Sequence, residues 1–326
     1  MMGIQVDFQS LTGRFKAWVQ TFRGSITLFC LLGLLLVPIS GNQYLATILV
    51  TAMILSIFAA SWDLLAGFAG QVSFGHAAFF GISGYFAAAF IKFAGAHWIL
   101  AIFVGAGWAV LFSLIIGIPC LRLKGPYLAL GTLAFSLILW NLFLTGTWLG
   151  GTEGISGLPS IGDIFVVFYI MVVFMVASLV IMRAIVDSRL GTILKSIRDD
   201  ETCADASGIN TTVYKLIAFM ISGFFAGISG ALFVLHTTAV NPAVFQTLYS
   251  FYAIIMAAIG GMATIYGSVI GAFLFTVLSE LLRPLAAAAL LIFATILILI
   301  IRFAEEGVMN PFLERVQDLW DMIRRR

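Results

Sequence analysis

Residues 164–236 read IFVVFYIMVVFMVASLVIMRAIV (164–186), DSRLGTILKSIRDDETCADASGIN (187–210) and TTVYKLIAFMISGFFAGISGALFVLH (211–236). Two apolar runs, each long enough to cross a bilayer, enclose one charged island. The island holds Asp187, Arg189, Lys195, Arg198, Asp199, Asp200, Glu201 and Asp205. These are eight of the chain's 32 charged residues (17 Lys and Arg plus 15 Asp and Glu), so charge is concentrated here as in no other internal segment. A span needs about 20 apolar residues. The runs on either side therefore read as membrane helices, and the island as an element presented to water between them.

The rest of the 326-residue chain agrees, with 62% hydrophobic and 10% charged residues. Soluble domains carry about 25% charged residues. In lipid every backbone polar group must be satisfied within the chain, which leaves helices or closed barrels. The apolar runs lack the alternation of barrel strands, so the fold class is an all-α polytopic membrane protein. Ten spans are expected, near 25–40, 45–66, 74–91, 98–119, 126–146, 164–185, 214–236, 249–263, 265–282 and 285–303. Gly260, Gly261 and Gly267 leave 249–282 divisible in several ways. Before the first span, segment 1–24 places Leu11, Phe15, Trp18 and Phe22 at helical spacing, which fits an interfacial amphipathic helix; a disordered basic tail fits the same residues. Segment 304–326 is expected to be a second tail.

Basic residues set the orientation. With both termini in the cytoplasm, all 17 Lys and Arg except Lys92 and Arg283 fall on the cytoplasmic side. The island, within loop 187–213, is then cytoplasmic, and the loop TWLGGTEGISGLPSIGD (147–163) is extracytoplasmic. No lysine follows a glycine, so the chain has no P-loop, and it contains no GxSxG or HExxH. The three cysteines, Cys30, Cys120 and Cys203, and the three histidines are scattered, and no metal site is expected. A net charge of +2 gives no reason to expect nucleic acid as a partner. Acidic residues inside spans are few, Asp63 and Glu280, where ion-driven carriers place more.

A second region of interest is SWDLLAGFAGQVSFGHAAFFGISGYFAAAF (61–90). It sets Asp63, Gln71, Ser73 and His76 among Gly67, Gly70, Gly75, Gly81 and Gly84. Glycines beside polar groups suit broken helices that line a cavity; they equally suit close helix packing. The stretch GGMATIYGSVIGAF (260–273) repeats the spacing of Gly75 and Gly81 at Gly261 and Gly267, and Gly260 precedes them.

Four segments carry a resemblance: AGQVSFGHAAFFGISGYFAA (69–88), KGPYLALGTLAFSLIL (124–139), GGTEGISGLP (150–159) and 188–233, which contains the island. In that order they resemble the branched-chain amino acid ABC-transporter permeases, the LivM type more than its LivH sister. The likeness runs from about residue 45 to 303. It implies a ten-span permease of the type II importer kind in the inner (plasma) membrane, paired with a LivH-like second permease. Two cytoplasmic ATPases of the LivG and LivF kind would use ATP and Mg, none of it bound by this chain. An extracytoplasmic amino-acid-binding protein would deliver cargo. Related permeases carry urea or short amides, and a standalone carrier or channel is the reading from a different class.

The resemblance also implies a coupling helix that docks on an ATPase, at Asp199, Asp200, Glu201, Ala204, Ser207 and Gly208. The general permease pattern Glu-Ala-Ala followed by Gly is only partly kept, as Thr202-Cys203-Ala204 and Gly208. The residues support a short helix by themselves. Asp199 or Asp200 suits its N-cap, Glu201 its first turn and Gly208 its end. Leu190, Ile193, Leu194 and Ile197 share one face of a preceding amphipathic helix.

Overall fold

The computed structural model describes residues 33–123, 125–285, 291, 292 and 295. The expected segments 1–24 and 304–326, the first half of the first span and nearly all of 285–303 lie outside the described residues.

Ten α-helices build the described fold. They are α1 (Gln43–Asp63), α2 (His76–Ala94), α3 (Trp98–Cys120), α4 (Pro126–Thr145), α5 (Ile164–Val186), α6 (Arg189–Asp199), α7 (Glu201–Ala206), α8 (Thr211–Thr237), α9 (Thr247–Gly260) and α10 (Ile265–Leu281). Six of the predicted spans are present: α1 to α5 and α8 are long and apolar enough to cross a membrane. The predicted pair 249–263 and 265–282 is not two ordinary spans. α9 and α10 are bent by 113° at a short break. With 14 residues, α9 is about 21 Å long, short of a hydrocarbon core of about 30 Å. The break follows from its residues. Gly261 has φ +98°, and Ala263 has φ +60°, a left-handed conformation uncommon outside glycine. A Cβ on Gly260 would overlap the carbonyl of Gly267, so the helices fold back at backbone contact.

α8 is the central helix and packs on α1, α2 and α3. Gly223, Gly227 and Gly230 form a stripe on it; Cβ atoms there would press on Ser113, on Ala106 and Ala109, and on the Phe80 carbonyl. Small residues in such a stripe let backbones approach where lipid offers no hydrophobic drive between helices. Serine hydroxyls then bond across the gap. Ser222 Oγ donates to the Ser61 carbonyl at 2.8 Å, Ser229 Oγ to Ile54 at 2.8 Å, and Ser83 Oγ to Gly227 at 2.5 Å.

The island and the 147–163 loop lie at opposite ends of this bundle. In the loop, β1 (Ile155–Ser156) pairs antiparallel with β2 (Ala239–Val240), and Lys92 Nζ donates to the Ser156 carbonyl at 3.0 Å. Tyr44, opening α1, donates to Glu280 in the last turn of α10; Glu280 also pairs with Arg283 at 3.0 Å. At its other end α1 reaches the island.

Candidate functional site: where the charged helices meet the bundle

The island folds into α6 and α7 for local reasons. Along α6, Leu194 and Ile197 are buried and Leu190 and Ile193 half-buried, so its apolar face covers the bundle. Asp200, one of the two predicted caps, closes the start of α7: its Oδ1 accepts from the backbone N–H groups of Thr202 at 2.8 Å and Cys203 at 3.0 Å. Its Oδ2 accepts from the Cys203 thiol at 3.2 Å. These bonds favour the charged carboxylate, the Cys203 N–H foremost, and hold the Asp200 pKa below its ordinary value. The same thiol bond and the nearby charge push the Cys203 pKa up. Gly208 ends the helix as expected. At φ +83° it lets its own N–H reach the Asp205 carbonyl at 2.9 Å and the Ile209 N–H reach Ala204 at 3.2 Å, the paired bonds of a Schellman end. Ala204 is buried, Glu201 half-buried, and Asp199, Asp200, Ser207 and Gly208 are exposed.

Three contacts, none expected from the sequence, tie this element to the bundle. Lys215 of α8, only 8% exposed, pairs with Glu201 at 2.5 Å. Lys195 Nζ lies 5.7 Å from the centre of the Phe68 ring. Arg198 Nη1 donates to the Gly67 carbonyl at 2.9 Å. A lysine one turn inside an apolar span signals a partner, since an unpaired charge there is costly; the sequence did not reveal which acid.

Gly67 and Phe68 belong to a π-helical turn, Leu64–Phe68, that extends α1. Such turns recur at functional sites. From Gly70 to Gly75 the chain is non-helical, a break that holds Gln71 and Ser73, while Asp63 ends α1 before the π-turn and His76 opens α2 after the break. Asp63, fully buried, accepts from the Ala263 N–H at 2.7 Å. Ser73 is buried too; its carbonyl accepts from Trp62 Nε1 at 2.8 Å, and its hydroxyl accepts from the Gly75 N–H at 3.3 Å. His76 is fully buried between the rings of Phe58 and Phe79. Its Nε2 is 2.9 Å from Ser61 Oγ. That hydroxyl already donates to the Phe58 carbonyl at 2.7 Å, so the imidazole is the donor between them. Gln71 is half-buried, with its amide on the Ala69 carbonyl at 3.1 Å.

Of these four residues only Gln71 borders open space. A cleft of about 580 Å³ lies between the break and the α3–α4 turn, with Gln71, Val72 and Phe74 on one wall and Pro126 and Ala129 on the other. Arg198, Asp200, Glu201 and Lys215 close its charged side. The predicted packing glycines sit at tight approaches: Gly70 on Arg198, Gly75 on the Thr132 carbonyl, Gly81 on the Phe245 ring and Gly84 on Val234. The two predicted glycine-rich segments thus each contain a helix break, and the breaks touch through Asp63 and Ala263.

A chain with these features is similar to known permeases. The LivM permease protein of the high-affinity branched-chain amino acid transport system of Escherichia coli K12 is 26% identical over 300 aligned residues, covering 82% of this chain and 70% of that protein. Its Salmonella typhimurium counterpart matches to the same extent. A solved structure, PsaBC from Streptococcus pneumoniae in complex with Fab, aligns at a TM-score of 0.46 and 16% identity over 86% of this chain and 98% of that one. The profile of a protein family, the permease component of the branched-chain amino acid transport system, matches residues 44–302. By that match over most of its length, the chain belongs to the family of branched-chain amino acid transport permease components.

Proposed function

We propose that this chain is one of two membrane-spanning subunits of an ATP-driven importer for branched-chain or other hydrophobic amino acids, with α7 as the element that docks on an ATPase. The observation that carries the reading is a short helix, capped at both ends, that follows directly on α6, whose Arg198 and Lys195 hold a π-helical turn of a membrane span. Such a construction turns a docked surface into a rigid handle on the bundle.

In this reading Asp199, Asp200, Glu201, Ala204, Ser207 and Gly208 form or shape the docking surface. Gln71, facing the cleft, is the foremost pathway residue, with Asp63, Ser73 and His76 holding the broken segment behind it. The second permease is LivH-like. Two LivG- and LivF-like subunits bind ATP and Mg, and an extracytoplasmic binding protein selects the amino acid. The permease domain covers 25–303 in the inner membrane, with the bent pair α9 and α10 in place of two of the ten expected spans and both termini in the cytoplasm. The basic residues support this orientation, since Lys92 and Arg283 lie at the end of the bundle opposite the island.

The test is reconstitution of the chain in liposomes with and without its co-purified permease and ATPases. Amino acid uptake is expected only with the full set, binding protein and ATP. Ala204→Arg on α7 is expected to release the ATPases and abolish uptake at normal expression. Uptake by the chain alone along an ion gradient would make it a secondary carrier. Delivery of urea or amides by the associated binding protein would keep the machine and change the cargo.

A further inference from the structure

Three independent observations converge on Gly67. The first is Arg198 at the end of α6. Its Nε and Nη2 donate to Asp199 Oδ1 at 2.9 and 2.8 Å while Nη1 donates to the Gly67 carbonyl at 2.9 Å. The planar guanidinium makes these bonds at once, which a lysine ammonium on a flexible stem does not reproduce. Its stem lies on Gly70, where a Cβ would come within 3.1 Å of the Arg198 Cγ.

The second observation is on the opposite side of the same residue. A Cβ on Gly67 would overlap Asp63 Oδ1 and approach the backbone nitrogen and Cα of Ala263. The π-turn is therefore wedged against the break between α9 and α10, and Asp63 at its start bonds that break directly. The third is the backbone of Ala263, held at φ +60°. A non-glycine residue in this region is strained and persists only where its surroundings enforce it. Here the Asp63 carboxylate holds the Ala263 N–H, and the Thr264 hydroxyl donates to the Gly261 carbonyl across the same bend.

We infer that Arg198 is the positioning residue that carries movement of the α6–α7 element into the membrane, through the Gly67 carbonyl to the Asp63–Ala263 bond and the bend between α9 and α10. The inference rests on α7 as the docking element and adds the route inward. A shift of α6 either drags Gly67 or breaks the bond to its carbonyl. Moving Gly67 disturbs the carboxylate and the nitrogen wedged against it. The strained Ala263 then has a lower-energy conformation available, and α9 can change its angle to α10. Contiguous packed contacts ending in an element with two arrangements are the physical requirement for coupling at a distance.

The experiment uses the complete transporter in liposomes, with Arg198→Ala, Arg198→Lys and Ala263→Gly. The readouts are retained ATPase subunits, ATP hydrolysed and amino acid imported per ATP. Arg198→Ala is expected to keep its ATPases and its hydrolysis while import per ATP falls roughly tenfold, a typical coupling magnitude, with Arg198→Lys intermediate. Ala263→Gly tolerates the backbone angle and keeps the fold. It is expected to lower import per ATP in the same way, and the double variant is expected to fall no further. Unchanged import per ATP in both Arg198→Ala and Ala263→Gly would overturn the inference, as would loss of the ATPases from Arg198→Ala. Ala204→Arg separates the two claims: if that variant keeps its ATPases, the docking reading fails whatever Arg198 does.

Discussion

The carboxylate of Asp63 accepts a hydrogen bond of 2.7 Å from the backbone N–H of Ala263, 200 residues later in the chain. It joins the last residue of α1 to the bend between α9 and α10, inside the protein. Asp63→Asn keeps a carbonyl oxygen for the bond and is expected to cost little. Asp63→Leu leaves the Ala263 N–H without an acceptor, a loss of about 1–3 kcal/mol. Thermal unfolding of the detergent-solubilised variants measures the difference; equal midpoints would mean that the bond contributes nothing.

Lys215 and Glu201 form the second tie. Removing one partner of a largely buried pair leaves an uncompensated charge, at up to about 3–5 kcal/mol; Glu201 is 43% exposed, so water reduces this to about half. Glu201→Ala is expected to destabilise more than the double variant Glu201→Ala with Lys215→Met. A double-mutant cycle on thermal stability checks the order.

Asp200 and Cys203 make the cap sensitive to pH. The carboxylate's pKa is lowered in the folded state. Its contribution to α7 is therefore present above the ordinary carboxylate value of 3.8 and is lost as pH falls through the lower folded value. For the thiol the sign is opposite, because its pKa is raised by Asp200. In a variant retaining only Cys203 among the cysteines, maleimide labelling near pH 8 is expected to be slow. Asp200→Asn is expected to speed it and to move the pH profile down. An unmoved profile would show that the carboxylate does not control the thiol.

Gly81 faces the side-chain ring of Phe245, whereas Gly260 faces the backbone of Gly267. A ring can move or be trimmed and a backbone cannot. Gly81→Ala is expected to destabilise and to be rescued in part by Phe245→Leu. Gly260→Ala is expected to have no single-residue suppressor. A suppressor screen scored by yield of folded protein distinguishes the two.

Gln71 and His76 differ in the same way. His76→Ala empties a filled site between Phe58 and Phe79, at about 2–5 kcal/mol for a large buried side chain. Its loss of transport should follow its loss of stability. Gln71→Ala is expected to leave the melting temperature within a degree or two while changing uptake. Normal uptake by a well-folded Gln71→Ala protein would remove Gln71 from the pathway.

The island was legible because its information is local. A cap, a first-turn acid and a terminal glycine act within a few residues, so the Asp200 and Gly208 roles followed from neighbours in sequence. Arg198 was not legible as a tie, because a basic residue in a charged loop looks alike whether it faces water or a carbonyl 131 positions away, and Lys215 in its apolar span signalled a partner without showing which acid. Among the four polar residues of 61–90, sequence could name them together but not separate Gln71 at a cleft from His76 in a packed interior.

By itself, the sequence determined a helical membrane protein, six of its spans, its exposed helix pair and the approximate places where helices break. Hydropathy, periodicity and capping are properties of adjacent residues, and the lack of water in the bilayer leaves them few alternatives. Only the tertiary structure decided that α9 and α10 form one sharp bend and that the two breaks lie against each other. It alone decided that α6 grips the π-turn between them. Those outcomes depend on which backbones meet at glycine, and on which buried carboxylate finds which N–H, and residues hundreds of positions apart set both.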